Sequence, residues 1–580
     1  MKKMLTVLFV LVSTALLAQN FSSTFEISAA MKNQGYAQVA YNTNADEYLV
    51  VWEDNRNSDT DIYGQFVQSN GTLKGKNFPI CTVSGDQYWP RLDFDPINNR
   101  FLVVFEDWRN TSNGDIRGVF VNSDGTFYNA PTSDAADHTF LICSNSADIY
   151  TCSVAFNFIS MRYLVVWGDF RNDPQKTSYT GEDVYGQLVG ADGTLLSPPS
   201  PADPAVNFPI AAEPDYPESV ADVTYSGMTN EFFVVYGTNG WVYGQRVNCD
   251  GELINAHGET VGKSSGDTGI QISQEFNNGP DCMQSRVQAN NEGIMYVTKS
   301  SGSWCEVEVV WKGRGTDKPD NDVYGQKIGF VEQSGKYVAK YINIDGVVTD
   351  NVSNHPISIQ NDWVGVTDIA YSSHNNEFLV AWGDPRTGGY AKADLYSQLL
   401  GVNSSTLQMS LLSADRTGTV GYTDNIPLEV SDNYSGSLLG IAHSISRNEF
   451  LIAYTFEDKT MNRGSDIYGI RFYGNTTSVE QNKSAAVPEE FQITGNYPNP
   501  FNPETHICFE LPVQGLVKVE IFDLTGRKIN RIKYVVMESG YHSVVWNGKD
   551  VDGFNVSSGV YLYSVKLDNI AKFGKMTLVR

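Results

Sequence analysis

Basic residues are scarce in this chain of 580 residues, where 41 Lys and Arg face 67 Asp and Glu for a formal charge of −26. A surface of that sign repels phosphates and anionic headgroups, so nucleic acids and acidic lipid surfaces are poor partners. The deficit is local. Residues 1–18 contribute +2, residues 19–487 hold 29 basic and 57 acidic groups, and residues 488–580 hold 10 of each. Histidine is sparse as well, with seven scattered copies and no metal-protease pair. Beyond the amino terminus there is no run of about 18 apolar residues, so no transmembrane helix is expected. Helical spacing is nowhere sustained, which turns attention to strands.

Met1 to Ala18 has a basic start at Lys2 and Lys3, an apolar run from Leu5 to Leu17 and a small residue before Gln19. This pattern reads as a secretory signal peptide, so the protein is expected outside the cell or on its surface. Seven cysteines, at 81, 143, 152, 249, 282, 305 and 508, then permit disulfides. Cys143/Cys152 and Cys282/Cys305 are the nearest pairs, and unpaired burial as small hydrophobes is the alternative.

An apolar strand ending in an aromatic, a polar loop and an Asp-aliphatic-Tyr-Gly-Gln strand recur as one unit. Tyr48–Trp52 is followed by Asp61–Gln65, Phe101–Phe105 by Asp115–Gly118, Tyr163–Trp167 by Asp183–Gln187, and Phe232–Tyr236 by Trp241–Gln245. Val307–Trp311, Phe378–Trp382 and Phe450–Tyr454 lead the remaining copies. Short leading strands (Gln38–Tyr41, Ser153–Phe156, Asp222–Tyr225, Asp368–Tyr371) and trailing ones (Phe78–Ile80, Phe140–Ile142) complete four strands per unit. Asn-Gly and Asp-Gly dipeptides at 70, 124, 192 and 250 mark tight turns. Seven such units predict an all-β, seven-bladed β-propeller over residues 19–475, with a linear solenoid as the alternative. The last unit lacks a trailing strand, while Thr24–Ile27 stands before the first unit without a partner. The N-terminal strand is therefore expected to complete the last blade, with Phe25 and Ile27 beside the Tyr468 strand.

After a Ser/Thr/Asn/Ala-rich linker over 476–490, residues 491–580 carry a different β pattern that predicts a small sandwich. Tyr497-Pro-Asn-Pro-Phe-Asn-Pro503, Asp523-Leu-Thr-Gly-Arg527, Trp546-Asn-Gly-Lys-Asp550, Ser558-Gly-Val-Tyr561 and Lys575–Arg580 occur in order. Together they resemble the C-terminal sorting domain of type IX secretion cargo, similar in fold to the immunoglobulin-like domain of flagellar hook-capping proteins. The resemblance implies the type IX machinery as a partner, and surface attachment or release after export. The alternative is a structural appendage. His542 and Cys508 alternate with apolar neighbours and read as packing residues.

The loop after each apolar strand offers Asp54 with Arg56, Asp107 with Arg109, Asp169 with Arg171, and Asp384 with Arg386. A catalytic pair is unique to one place, so four copies point to a repeated ion pair or turn cap. Asp59 and Asp61, like Asp317, Asp320 and Asp322, supply oxygens suited to calcium, against a reading as solvated acidic turns. The loops entering the leading strands hold Tyr36, Tyr88, Trp89, Tyr150, Tyr216, Trp363 and Tyr434 beside amides or acids. Around a funnel these rings would stack on sugars, and the alternative is that they wedge between blades.

Enzyme signatures are weak. Gly262-Lys-Ser-Ser-Gly266 fits a nucleophile elbow but lies in a polar stretch without the strand-turn-helix context. The reading is a secreted binding or surface-interaction propeller for carbohydrate or another extracellular polymer. The competing classes are a polysaccharide hydrolase or lyase with acids at the funnel, and a structural surface-layer protein.

Overall fold

The computed structural model describes residues 20–109, 113–144, 147–173, 181–197, 207–212, 217–226, 229–238, 241–261, 269–273, 283–289, 295–299, 302–314, 321–334, 336–360, 364, 367–372, 375–386, 394–403, 406–430, 439–444, 446–457, 464–473, 491–497, 505–513, 515–537, 540–551, 554–567 and 570–579. The signal segment, the linker, Asp317, Asp320, Cys282, Tyr216, Trp363 and Tyr434 lie outside them, as do the side chains of Cys305 and Cys508. Among the described residues every regular element is a β-strand.

The first sheet runs Gln34–Asn42, Glu47–Asp54, Asp61–Gln68, Leu73–Cys81, each antiparallel to the next. The same order of leading, middle, Tyr-Gly and trailing strand recurs in six further sheets. Their middle strands are Arg100–Asp107, Arg162–Asp169, Glu231–Thr238, Gly302–Arg314, Glu377–Asp384 and Glu449–Glu457. In the last sheet the trailing place belongs to Phe25–Ser28, whose Phe25 pairs with Gly469 and Glu26 with Tyr468. The leading strands abut in chain order. Gln34–Asn42 touches Gln87–Asp95, followed by Ile149–Asn157, Glu218–Ser226, Met283–Ala289, Thr367–Ser372 and Leu439–Ser444, which meets Gln34–Asn42 again.

The middle strands are apolar without alternation because both of their faces are covered, and all eight residues of Glu47–Asp54 are buried. The Tyr-Gly-Gln signature has a physical cause at each place. A Cβ on Gly64 would sit 2.9 Å from the Ile80 side chain and 3.1 Å from Phe78, so glycine leaves room for the trailing strand. Gln65 is fully buried and its amide donates to the carbonyls of Phe66 and Lys74, both at 2.9 Å, while Oε1 accepts from Asn77 at 2.8 Å. Gln187, Gln245, Gln326 and Gln398 make the same pair of donations in their own sheets, stapling the outer strand to its neighbour. Gly71, at φ 86°, turns the chain where only glycine or asparagine sits easily.

The C-terminal region forms a three-stranded sheet (Gln492–Tyr497, Thr505–Leu511, Gly540–Trp546) and a four-stranded one (Lys528–Met537, Gly515–Phe522, Gly559–Leu567, Ile570–Leu578). Trp546 and Tyr563 are buried in it, and His542 stacks on Phe509 at 5.7 Å, the packing role expected of it. Cys143 and Cys152 are not bonded to one another. Both are free and buried, as is Cys81, and Cys249 is free as well. Burial pushes the Cys81 and Cys143 thiols up to about 12, which suits packing and suppresses thiolate chemistry.

Candidate functional site

The leading strands wall a cavity of about 370 Å³, lined from six sheets by Gln38–Tyr41, Arg91–Asp93, Ser153–Phe156, Asp222–Tyr225, Asp368–Tyr371 and Ile441–His443. Register fixes which residues are equivalent. Gln38 stands opposite Val51, Arg91 opposite Val104, Ser153 opposite Val166, Asp222 opposite Val235, Asp368 opposite Ala381, and Gly440 opposite Ala453. The middle-strand partners are uniformly small and apolar, whereas the leading-strand residues differ from sheet to sheet. Carboxylates of these strands tie neighbouring sheets together through Phe156, Ser153 and Ile441. The Asp93 carboxylate accepts the Phe94 and Phe156 N–H groups at 2.7 Å, Asp222 accepts the Ser153 hydroxyl at 2.7 Å, and Asp368 accepts the Ile441 N–H at 2.8 Å. Burial still pushes the Asp93 carboxyl up to about 6.

Toward the end that faces the Asp/Arg loops, the register of the first three leading strands slips, between Gly35 and Gln38, Tyr88 and Arg91, and Tyr150 and Ser153. These bulges hold Tyr36, Trp89 and Thr151 at φ of 56°, 55° and 44°, a costly region for bulky and β-branched side chains. Two carboxylates brace them from the preceding sheet. Glu53 accepts the Trp89 N–H at 2.8 Å and Glu106 the Thr151 N–H at 2.5 Å. Desolvation is the largest influence on both, pushing Glu53 up to about 8 and Glu106 up to about 7.

Tyr36 and Trp89 meet edge to face with centroids 4.3 Å apart, so this pair bridges the first two sheets. Tyr150 donates to Asp148 at 2.7 Å and meets Phe170 edge to face at 5.8 Å. Burial and the neighbouring Asp86 raise the Tyr88 phenol. All four aromatics are half-buried, and none lines the cavity.

The four Asp/Arg pairs are each internal to one loop. Asp54 accepts the backbone N–H of Arg56 and its guanidinium, plus the Trp52 indole N–H at 2.8 Å, and Arg56 lies 4.0 Å over the Tyr63 ring. Asp169 with Arg171, Trp167 and Tyr185 repeats this arrangement, as does Asp384 with Arg386, Trp382 and Tyr396. In the second sheet Phe105 has no indole N–H and Arg117 replaces the tyrosine, and there Arg109 binds Asp137 as well as Asp107. Asp59 and Asp61 are drawn to different partners, Asp59 to the Gly85 N–H at 2.9 Å and Asp61 to the Asn57 amide at 2.5 Å. Among the described residues no three His, Cys, Asp or Glu are grouped to hold a metal ion.

The repeat pattern led to the aromatic loops and the Asp/Arg pairs but passed over Glu53, Glu106, Arg91 and Asp93. The available signal was departure from the repeat. Glu53 and Glu106 stand where the third and sixth sheets have Gly168 and Gly383.

Residues 512–570 match the FlgD Ig-like domain, so the C-terminal two-sheet unit is an Ig-like domain. No curated protein matches the chain. Among solved structures, a fungal alcohol oxidase in complex with copper is 8% identical with a TM-score of 0.44, covering 97% of this chain and 99% of that one. A neuraminidase-like protein of a flat-faced bat isolate is 9% identical with a TM-score of 0.36, covering 78% of this chain and 91% of that one.

Proposed function

We propose that the chain is an exported seven-bladed β-propeller, delivered to the cell surface or beyond by its Ig-like domain acting as a type IX sorting signal. Outside, it works as a binding module for carbohydrate or another surface polymer. The abutting leading strands and the N-terminal strand in the last sheet support the propeller reading. The ligand reading rests on one observation. Core positions repeat from sheet to sheet, yet the cavity-facing place carries Gln38, Arg91, Ser153, Asp222 and Asp368, a mixed set of donors and acceptors suited to hydroxyl groups.

A second reading, glycoside hydrolysis, has its own support. Glu53 and Glu106 occur in two sheets only, and burial keeps both near neutral, where a carboxyl can deliver a proton.

The test is a glycan array combined with a hydrolysis assay on the mature chain, with and without a chelator. Arg91→Gln is expected to weaken binding by about tenfold or more, the size of a lost hydrogen bond to a charged group. Turnover abolished by Glu53→Gln and Glu106→Gln would select the hydrolase. Neither binding nor turnover on any glycan would sink both readings. For delivery, a chain lacking residues 491–580 is expected to stop short of the surface, and its normal appearance there would refute the sorting role.

A further inference from the structure

The four-stranded sheet of the Ig-like domain buries one face against its partner sheet, and the charge on its other face is one-sided. Along Gly515–Phe522 the side chains of Val517, Val519 and Ile521 are fully buried, so the alternating Lys518, Glu520 and Phe522 point away from the core. Register carries this outer face across the neighbouring strands. Lys518 stands opposite Lys566, Glu520 opposite Ser564 and Arg531, and Phe522 opposite Leu562 and Lys528. On the edge strand Ile570–Leu578, Phe573 stands opposite Ser564 and Lys575 opposite Leu562. Five basic side chains therefore share the face with one carboxylate, although residues 488–580 as a whole hold 10 basic and 10 acidic groups.

The single carboxylate is shared three ways. Glu520 lies 2.9 Å from Lys518, 3.3 Å from Lys528 and 3.6 Å from Arg531, and against the upward pull of burial the hydrogen bonds from Lys518 and Lys528 hold its carboxyl below the usual range. Lys518 and Lys566 face one another directly across the strand pair, a like-charge arrangement that is unfavourable by itself. At the edge of the same face Phe573 is 71% exposed, and Ile570 at the start of its strand is 60% exposed. Large apolar side chains held in water among cations suit the headgroup region of a bilayer, where the charges meet anionic headgroups and the rings reach the acyl boundary. The acidity of the chain does not oppose such a contact. It belongs to residues 19–487, and its field is screened beyond about 8 Å at physiological salt.

We propose that the outer face of this sheet seats on an anionic lipid surface. Lys518, Lys528, Arg531, Lys566 and Lys575 lie against the headgroup phosphates, and Phe573 enters between the headgroups. The contact gives the Ig-like domain a membrane-binding role of its own, and it depends neither on the carbohydrate reading nor on the export route.

Co-sedimentation of the mature chain with vesicles of phosphatidylglycerol mixed with phosphatidylcholine, and with phosphatidylcholine alone, tests the assignment at physiological salt and at several times that concentration. The mixed vesicles are expected to carry the protein down at physiological salt and to release it at the higher one, and phosphatidylcholine alone is expected to leave it in solution. Lys566→Glu combined with Lys575→Glu is expected to weaken binding by about tenfold or more, since each basic group near such a surface is worth about a fivefold change. Phe573→Ser leaves every charge in place and is expected to weaken it by about fivefold, through lost apolar burial. Equal sedimentation with neutral and anionic vesicles, no sedimentation with either, or affinity unchanged in both variants overturns the lipid contact. Self-association that salt dissolves, without vesicle binding, overturns it as well and assigns the face to the acidic surface of a second copy.

Discussion

Glu53 illustrates how one side chain couples packing to pH. It braces the Trp89 bulge, and burial lifts its carboxyl from 4.5 to about 8. The charged form is therefore disfavoured in the folded state relative to the unfolded one. Stability is fullest below the unfolded value near 4.5 and falls as pH rises toward 8, with Glu106 adding a decline toward 7. The unfolding free energy from urea titrations is expected to drop by a few kcal/mol between pH 5 and 8, since each tenfold change in proton affinity is worth about 1.4 kcal/mol. Glu53→Gln keeps an acceptor for the Trp89 N–H and should flatten part of that slope. Identical pH profiles for the two proteins would remove Glu53 as the cause.

At the scale of an element, the fifth sheet departs most from the repeat. Glu308, His355 and Lys327 occupy the places that Leu164, Phe208 and Leu188 fill in the third sheet. His355 Nε2 lies 3.0 Å from Glu308 Oε1 with both side chains buried, and Lys327 donates to the Leu407 carbonyl at 2.5 Å. Buried ionic groups of this kind are often outperformed by well-packed apolar residues of similar volume. The triple variant Glu308→Leu, His355→Phe, Lys327→Leu is expected to stabilise the protein by about 1–4 kcal/mol. Glu308→Leu alone leaves His355 without its partner and is expected to destabilise it. Thermal melts of the full chain distinguish the two, and a triple variant less stable than the parent would show that the polar set supports the sheet.

For the whole molecule, the pairing of Phe25–Ser28 with Ser465–Phe472 links residues more than 400 apart in sequence. Ser22 and Asn20 extend the link through backbone bonds to Arg471 and Tyr473. Deleting residues 20–28 would bare an edge strand and the apolar contacts of Phe25 and Ile27. A lower melting temperature and concentration-dependent association in size-exclusion chromatography are expected, whereas an unchanged melt and a monomeric profile would make the strand dispensable. The repeats and the orphan strand made this architecture legible, because core patterning and turn chemistry are local properties. The added hairpin of Leu253–Ile254 with Thr260–Val261 and the 13-residue strands of the fifth sheet were not legible, although their pairing is local, since they extend the unit beyond the spacing that the other repeats share.

Periodicity determined which residues enter strands, where the turns fall and that Asp54, Asp107, Asp169 and Asp384 recur with an arginine two residues on as one repeated device. These are short-range facts, written in spacings of two to a dozen residues. The tertiary structure decided what no spacing encodes. It packed Tyr36 against Trp89, set Glu53 and Glu106 beneath the bulges of the next sheets, and gathered Arg91, Asp222 and Asp368 on one cavity wall. Each of these contacts crosses from one sheet to another, where distance in space has no counterpart in distance along the chain.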